Sequence, residues 1–274
     1  MKFFKTRNFM TAGLISLVLG GISLTTGYFM GGIKVQDGYL TTATVKKITK
    51  TQKFSSTIDK IKINSEAVQV KIQLGDEFSV QSELPTGLTL QATVTGNTLS
   101  LDTRSRSQHP FFNLSLFSSQ LSGKFIVTLP KRDQLKSLDI ESDAASTTLS
   151  DLKLNSLSLT ANASPVKLSN LEVGQLKASA DASSFKMSKI SATSLDFEGN
   201  AAELNFKQLS LKNSGKISLD AGSLTLSQYQ FPGLKVTGDA TSLSVNGKGT
   251  KFPYTEGDES VKIALNAASI KIEK

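Results

Sequence analysis

Residues 154–209 read LNSLSLTANASPVKLSNLEVGQLKASADASSFKMSKISATSLDFEGNAAELNFKQL, and this stretch decides the fold. Asp or Asn followed by Ala recurs in it at Asn162, Asp181 and Asn200, each 19 residues after the one before. Apolar residues spaced by two flank every one of these dipeptides. A fixed period near 20 residues predicts a repeat architecture, in which each repeat stacks on its neighbours to bury a continuous core.

The same dipeptide marks the repeat on both sides of this stretch. Its seven copies begin, in sequence order, at Asp143, Asn162, Asp181, Asn200, Asp220, Asp239 and Asn266. Stacked in that order, they predict a row of Asp and Asn side chains, here named the corner ladder. Because like charges about 5 Å apart repel, interleaved Asn favours such a row. A Ca²⁺-binding ladder is the functional alternative, but one possible ligand per repeat and the missing glycines argue against it.

Two short strands per repeat distinguish this pattern from other repeats of similar length. No 3.6-residue period indicates helices, and the second half of each repeat alternates like a strand, as in Leu224, Thr225 and Leu226. Asp and Asn tolerate a left-handed backbone and so predict the corner between the two strands, while the following Ala keeps the corner thin. The sequence therefore predicts an all-β, single-stranded β-solenoid, β-helix-like, with coils of about 19 residues.

The N-terminus has the composition of a membrane segment. No charged side chain occurs from Phe9 to Ile33, a stretch long enough to cross a hydrocarbon core of about 30 Å as one helix. Lys2, Lys5 and Arg7 precede it, and the positive-inside rule assigns that end to the cytoplasm. A cleaved signal peptide is the alternative, although no A-x-A cleavage pattern lies nearby.

These patterns predict five successive parts of the chain. Residues 1–8 form a cytoplasmic N-terminus and residues 9–33 a single transmembrane anchor. Residues 34–57 are polar and rich in Thr and Lys, which predicts a juxtamembrane linker. Period-two alternation predicts an N-terminal β region over 58–134, followed by regular solenoid repeats over 135–274. The predicted localisation is the cell membrane, with the C-terminal domain extracellular.

Two segments interrupt the regular pattern and are candidate interaction loops. The stretch from Arg104 to Gly123 is irregular and contains the only His, and residues 247–260 hold an eight-residue insertion. Loops carry function more often than the scaffold beneath them. The alternative is that the aromatic rings of the first segment cap the β core and that the second is a tolerated surface loop. The candidate contact residues are His109, Phe111, Phe112, Phe117, Lys251, Phe252 and Tyr254.

Charged side chains on the strands supply two further candidates. Lys167 and Lys186 occupy equivalent positions in adjacent coils, with Lys207 nearby, and this basic stripe suits anionic wall polymers. A solubilising surface explains the stripe equally well. Carboxylates at alternate strand positions, which share an outward face, give the best case for a polysaccharide-active enzyme, although solvated strand faces also explain them. Those pairs are Asp139 with Glu141 and Asp196 with Glu198.

Composition argues against most other chemistry. The chain has no Cys and one His, so it lacks the residues of a Cys-His nucleophile or a zinc site, and it has no Walker or Rossmann glycine pattern. We therefore predict no catalytic residue, no metal and no cofactor. The net charge is +8, but sequence-reading sites on nucleic acid depend on Arg, and few Arg occur. No nucleic-acid partner is predicted.

Several segments also carry a family resemblance. The membrane segment is followed by I-x-K-I-x-I-N-x-E-x-V-x-V-x-I (58–72), T-G-N-T-L-S-L (95–101), F-I-V-T-L-P (125–130) and L-x-S-L-x-I (135–140). Together with the repeats, over about residues 55–274, they resemble the DUF4097 family of β-strand-repeat proteins, also called putative adhesins, which includes LiaG-like proteins of Gram-positive bacteria. The resemblance implies a β-solenoid on the outer face of the membrane, linked to cell-envelope stress systems. It supplies no catalytic residues.

The function predicted from these features is that of a non-enzymatic, membrane-anchored envelope protein. Its expected partners are the membrane, through the N-terminal helix, and either envelope proteins or anionic wall polymers. A surface adhesin or glycan-binding module is the first alternative. A polysaccharide-active β-helix enzyme is the second.

Overall fold

The computed structural model describes residues 33–36, 39–42, 47–55, 57–86, 88–105, 123–239 and 242–274, with backbone alone for 33–36, 39–42 and 104–105. Two compact units divide the chain, one of residues 1–46 and 109–121 and the other of residues 47–108 and 122–274. In the first unit, β1 (Ile33–Gln36) and β2 (Tyr39–Thr42) form an antiparallel hairpin. The second unit contains the repeats.

All the other strands belong to this second unit. Before the repeats they are β3 (Lys47–Lys53), β4 (Lys60–Glu66), β5 (Val68–Leu74), β6 (Ser79–Pro85), β7 (Leu88–Thr95), β8 (Thr98–Ser105) and β9 (Gly123–Leu129). The repeats form β10 (Ser137–Asp143), β11 (Thr147–Ser150), β12 (Lys153–Asn162), β13 (Val166–Asp181), β14 (Ser184–Ser227), β15 (Gly233–Asp239), β16 (Ser242–Val245), β17 (Lys248–Thr250), β18 (Tyr254–Gly257) and β19 (Val261–Glu273).

The strands form one continuous, curled sheet in which successive coils pair in parallel. From β10 to the start of β14, each residue lies beside the residue 19 positions later, as with Asn162 beside Asp181 and Asp181 beside Asn200. We name face A the strand segments that lead into each Asp/Asn corner, such as β4 and β10, and face B the segments that follow it, such as β5 and β11. The predicted all-β, solenoid-like coil is confirmed for the described part of the chain.

The coils do not stack in sequence order at either end. At one end β4 and β5 lie between β8 and β9 on one side and β10 and β11 on the other. At the other end the C-terminal strand β19 inserts between β14 and the coil formed by β15 and β16. The predicted order of the corners from Asp143 to Asn266 is therefore wrong at the C-terminal end, where Asn266 precedes Asp239 in the stack.

Antiparallel strands cover the outermost coils. β7 pairs with β8, and β6 pairs with β9 and carries β3 on its other side. At the opposite end β18 pairs with β15, and β17 pairs with β16. Because a parallel coil left uncovered presents a row of unpaired backbone groups, these strands shield the ends of the stack from edge-to-edge association. Residues 248–250 and 254–257 of the predicted insertion are thus strands of a cap, and β3 lies within the predicted linker 34–57.

The core is built by the period-two alternation of each strand. In β4 the burial alternates at every residue, with Ile61 and Ile63 inside and the neighbouring lysines exposed. Three phenylalanines of consecutive strand segments meet edge to face, with ring centroids 5.0 Å apart for Phe185 and Phe197 and 5.7 Å apart for Phe197 and Phe206. Each such ring contributes about 2–3 kcal/mol through removal from water, so the stacked interior holds the coils together.

The backbone reverses at the alanine of each corner and not at the Asp or Asn before it. The φ angle is positive at Ala144, Ala163, Ala182, Ala201, Ala221 and Ala267, between 46° and 58°. The predicted left-handed Asp or Asn is therefore wrong. The backbone carbonyl of the corner Asp or Asn instead accepts a hydrogen bond from the neighbouring coil. The Ala163 amide donates to Asp181 O at 2.9 Å, and the Ala182 amide donates to Asn200 O at 3.0 Å. With that carbonyl fixed, the chain turns one residue later.

Buried serines complete the corner behind the alanines. The Ser164 and Ser183 side chains are 0% and 5% exposed. Ser164 Oγ accepts from the Ala145 amide at 3.0 Å and donates to Asn162 O at 2.7 Å, and Ser183 Oγ accepts from the Ser164 amide at 3.0 Å. Since a buried polar group without a partner costs about 1–3 kcal/mol, these bonds make a polar corner compatible with an apolar interior.

The predicted transmembrane segment 9–33 lies outside the described residues, apart from the backbone of Ile33. Among the residues that are described, no helix has the length and apolar character needed to cross a membrane.

Candidate functional site

The corner ladder alternates strictly in space, although it does not in sequence. Because β19 inserts between β14 and β15, Asn266 lies between Asp220 and Asp239. The order along the stack is Asp143, Asn162, Asp181, Asn200, Asp220, Asn266 and Asp239. No two of the four aspartates among these seven residues are neighbours.

Amide-to-carboxylate hydrogen bonds join neighbouring members of the ladder. Asn200 Nδ2 donates to Asp181 Oδ1 at 3.2 Å, and Asn266 Nδ2 donates to Asp220 Oδ1 at 2.8 Å. All four side chains are exposed. Each Asn therefore supplies a donor to an acid that would otherwise face another acid, which identifies a structural role for the alternation.

The ladder has one further member that the repeat pattern missed. Glu66 pairs in register with Asp143, and Ala67 after it has the same positive φ of 54° as the other corner alanines. The signal in the sequence is the pair Val70 and Ile72, which follows Ala67 at the spacing seen in the repeats. A search restricted to Asp or Asn before Ala does not find it.

Two shallow concavities flank the ladder. One, of about 570 Å³, is lined by Asp181, Asn200, Asp220 and Asn266 with the strand ends before them, and the other, of about 430 Å³, by corner alanines and serines on the side of face B. Both are formed by the corners themselves, so they follow from the coil geometry.

The predicted basic stripe lies on face B. Lys167 and Lys186 are direct register partners on β13 and β14, and both side chains are exposed. The row continues through Thr148 to Lys71, on β11 and β5. We name Lys71, Thr148, Lys167 and Lys186 the lysine row. No carboxylate lies within 4.0 Å of its three ammonium groups among the residues that the structure describes.

Lys207 does not belong to this row. A row residue lies between the two inward-facing side chains of its strand segment, as Lys186 does between Phe185 and Met187. In the following coil that place is taken by Asn205, and Lys207 is exposed farther along the strand. Lys71, between Val70 and Ile72, occupies the same place, which is the signal by which the sequence could have identified it.

The two carboxylate pairs proposed for an enzyme lie on face A. Ile140 is buried between Asp139 and Glu141, and Phe197 is buried between Asp196 and Glu198, so each pair shares an outward face. Glu198 lies 3.4 Å from Lys216 Nζ, and Asp196 is the register partner of Lys177. In the second pair each carboxylate thus has a lysine beside it.

The cap at the C-terminal end contains the other polar cluster. The Tyr229 and Tyr254 hydroxyls donate to Glu256 Oε2 at 2.9 and 3.1 Å, and Lys274 Nζ lies 2.9 Å from Glu256 Oε1. Burial of each ring, together with the adjacent carboxylate, raises the pKa of both tyrosines. Burial alone would raise the pKa of Glu256, but hydrogen bonds from Lys274, Tyr229 and Tyr254 outweigh it and lower that pKa. The cluster ties the C-terminus to β18.

The candidate loop residues have separate outcomes. Phe252 and Tyr254 are half-buried and pack against the core, while Lys251 is exposed between β17 and β18. His109, Phe111, Phe112 and Phe117 lie outside the described residues.

Comparison with known proteins gives a family for most of the chain. The family described as Toastrack DUF4097 matches residues 58–273. A search of curated protein sequences found no match. Similar solved structures include a putative adhesin from Bacteroides fragilis, with 15% identity, 83% of this chain and 96% of that chain covered, and a TM-score of 0.43.

Two more solved structures also match 83% of this chain. A putative lipid binding protein from Parabacteroides distasonis has 17% identity, 97% of its length covered and a TM-score of 0.40. A putative cell adhesion protein from Clostridium sporogenes has 15% identity, 99% of its length covered and a TM-score of 0.35. On the match over residues 58–273, this chain belongs to the Toastrack DUF4097 family.

Proposed function

We propose that this chain is a non-enzymatic, membrane-anchored protein that displays its coil stack on the outer face of a bacterial cell membrane as a binding scaffold. The main support is that the two sides of each strand differ. Inward side chains pack in the core, and outward side chains form long, regular polar rows, as on face B. Repeat proteins with such surfaces bind partners along the stack and seldom in a single pocket.

The membrane anchor and the topology rest on the sequence. The uncharged stretch from Phe9 to Ile33 has the length of a spanning helix, and Lys2, Lys5 and Arg7 favour a cytoplasmic N-terminus. The resemblance to LiaG-like proteins adds a link to cell-envelope stress systems. Envelope proteins and wall polymers are the partners within reach of a domain in that position.

Protease treatment of intact cells tests the topology. With one epitope tag before Met1 and another after Lys274, we expect the protease to remove the C-terminal tag and leave the N-terminal one. A C-terminal tag that survives while an external control protein is digested would overturn the proposal. Loss of the N-terminal tag from the membrane fraction before any protease is added would indicate a cleaved signal peptide.

A matched variant tests whether the positive charges at the N-terminus set the topology. Replacement of Lys2, Lys5 and Arg7 by Glu removes the positive charge that directs insertion. We expect the variant to insert poorly or in the opposite orientation, so that its C-terminal tag becomes protected. Unchanged accessibility of that tag would show that these three residues do not set the topology.

An enzyme acting on polysaccharide is the other class of function. Its best residues are Asp196 and Glu198, and both have lysines beside them on face A. If the full chain cleaved any member of a polysaccharide panel, and the Asp196→Asn change with Glu198→Gln abolished cleavage, the non-enzymatic proposal would be wrong.

A further inference from the structure

The lysine row runs across four neighbouring strands. Lys71 faces Thr148, Thr148 faces Lys167 and Lys167 faces Lys186, in register on β5, β11, β13 and β14. At about 4.8 Å between neighbouring strands, the row extends about 14 Å. The three lysine side chains are exposed. Their ammonium groups therefore form a line perpendicular to the strands.

The charges in this row lack the ion pairs that Lys124 and Lys271 have on the same face. Like charges directly opposite on adjacent strands are destabilising, and Lys167 and Lys186 are such a pair. On the same face Lys124 is 3.0 Å from Glu83 and Lys271 is 2.6 Å from Glu273. Within the described part of the chain, the three lysines of the row have no such ion pair. An anion bound along the row would relieve their repulsion.

The surroundings of the row indicate which kind of anion fits. The outward positions beside it carry mainly hydroxyl groups, among them Ser150, Ser169, Ser184 and Ser188. Hydroxyls donate to phosphate oxygens and exchange hydrogen bonds with polyols and sugars. A membrane-binding surface needs Trp, Phe or Leu that enter the lipid, and a surface for single-stranded nucleic acid needs aromatic platforms. Among the described residues of β5, β11 and the face B segments of β13 and β14, Leu74 at the end of β5 is the one large apolar side chain that is exposed, and no aromatic side chain is exposed.

The shape of the row indicates a chain-like ligand. None of the row residues lines either described concavity, although the smaller one borders the row at Ser184, and the row itself lies on the open strands of face B. A small anion needs donors that converge around it, but a polymer with repeated charges can contact lysines spread along a line. We infer that the lysine row binds a linear polymer of phosphodiester-linked polyols or sugars, lying across the strands of face B. This inference rests on the proposed display of the stack outside the membrane.

Binding of the full chain, in detergent micelles, to immobilised poly(glycerol phosphate) tests the inference. The variant Lys167→Thr with Lys186→Thr uses the residue that the fold already holds at Thr148. We expect it to bind on the order of tenfold more weakly. The slope of log affinity against log salt should fall by about 1.4, because each phosphate contact to a flexible strand contributes about 0.7. The Lys167→Arg with Lys186→Arg variant should bind like the parent.

A control on face A separates the row from net charge. Lys177 and Lys262 are exposed, and Ser158 is the register partner of Lys177, so Lys177→Ser with Lys262→Ser removes the same charge from another surface. We expect this variant to bind within about twofold of the parent, as exposed charges far from a site are screened by salt. If it weakened binding as much as the row variant, the inference would be overturned.

Three other results would also overturn it. These are no binding of the polymer by the parent chain, binding of phosphatidylglycerol vesicles but not of the polymer, and binding of single-stranded DNA as tight as that of the polymer. Protease accessibility of the C-terminal tag is measured independently. Failure of polymer binding would leave that topology result intact, and a cytoplasmic stack would contradict the proposed function instead.

Discussion

The corner ladder and the lysine row are two solutions to the same geometrical problem. Both place one side chain per coil at the spacing of neighbouring strands, about 4.8 Å. In the ladder, Asn separates the four aspartates of the repeats, and the one acidic pair is at the end, where Glu66 lies beside Asp143. The row keeps Lys167 beside Lys186 with no acid within 4.0 Å among the described residues. The difference teaches that one row is arranged for stability, while the other retains a repulsion that a ligand could relieve.

Removal of β19 should have the largest effect on stability. This strand buries apolar side chains, and it supplies Asn266, which separates Asp220 from Asp239. Val261, Ile263, Leu265 and Ile270 are each at most 4% exposed. Burial of each contributes about 1.5–3 kcal/mol. A chain ending at Ser260 could restack only with Asp239 beside Asp220. We expect loss of the main thermal unfolding transition of the C-terminal coils, measured by circular dichroism, and rapid proteolysis of β15 and β16.

A chain lacking only Lys274 is the matched control for that truncation. It loses the ion pair with Glu256 and should remain within about 1 kcal/mol of the parent. If the chain ending at Ser260 unfolded at the parent's temperature, insertion of β19 would not stabilise the stack.

Conversion of the ladder to consecutive acids should have the next largest effect. Asn200→Asp with Asn266→Asp removes two amide donors and places five carboxylates on successive strand segments. We expect a loss of about 2 kcal/mol in the free energy of unfolding by urea at neutral pH and low salt. The loss should shrink in high salt.

The reverse change tests the cause. Asp181→Asn with Asp220→Asn removes charge and keeps partners for the amides, so stability should stay within about 0.5 kcal/mol of the parent. Equal destabilisation by both double variants would argue against charge repulsion as the reason for the alternation.

The cap carboxylate provides a third arrangement, in which one acid is matched by three donors. Because the pKa of Glu256 is lowered in the folded protein, its contribution is present above its ordinary value of 4.5 and is lost as the pH falls through the folded value. We expect Glu256→Gln to cost about 1 kcal/mol at neutral pH, measured by thermal unfolding across a pH series. A cost that stayed constant down to acid pH would rule out the charged form as its source.

Removal of two charges from the lysine row should have the smallest effect on stability, and it should stabilise the protein. Lys167→Thr with Lys186→Thr removes a like-charge pair, and Thr favours strands. We expect a gain of about 0.5 kcal/mol in the free energy of unfolding by urea at low salt, and less at high salt. The control change Lys177→Ser alone should give no gain, since the register partners of Lys177 are Ser158 and Asp196. A loss of stability in the row variant would show that the lysines do not repel.

The regular coils could be predicted from sequence because their signal is local. The 19-residue period places Lys167 beside Lys186, and the alternation puts Phe185 inside. The caps could not be predicted, since antiparallel strands such as β7 and β18 follow no repeat and their partners are distant along the chain. Lys71 was missed as a row member for the same reason, because its coil is separated from the repeats by the strands of the cap.

The position of the left-handed residue in the corner also escaped the sequence. Residue preference predicts Asp or Asn there, but a hydrogen bond from the neighbouring coil, such as Ala182 N to Asn200 O, fixes that carbonyl. The choice is made by contact between coils and not by the dipeptide alone. A left-handed backbone costs an L-residue such as Ala about 1–2 kcal/mol, and the corner alanines adopt it where the coils hydrogen-bond to one another.

By itself the sequence determined the length of the coil, the residues that face inward and the presence of an Asp or Asn at every corner of the repeats, because all three depend on spacing within one coil. Only the tertiary structure decided which coils are neighbours. In sequence order Asp220 is followed by Asp239, yet β19 returns from the C-terminus and puts Asn266 between them. The physical reason is that strand pairing is a long-range choice, made by burial of the apolar side chains of β19 and by the charge of the residues it separates.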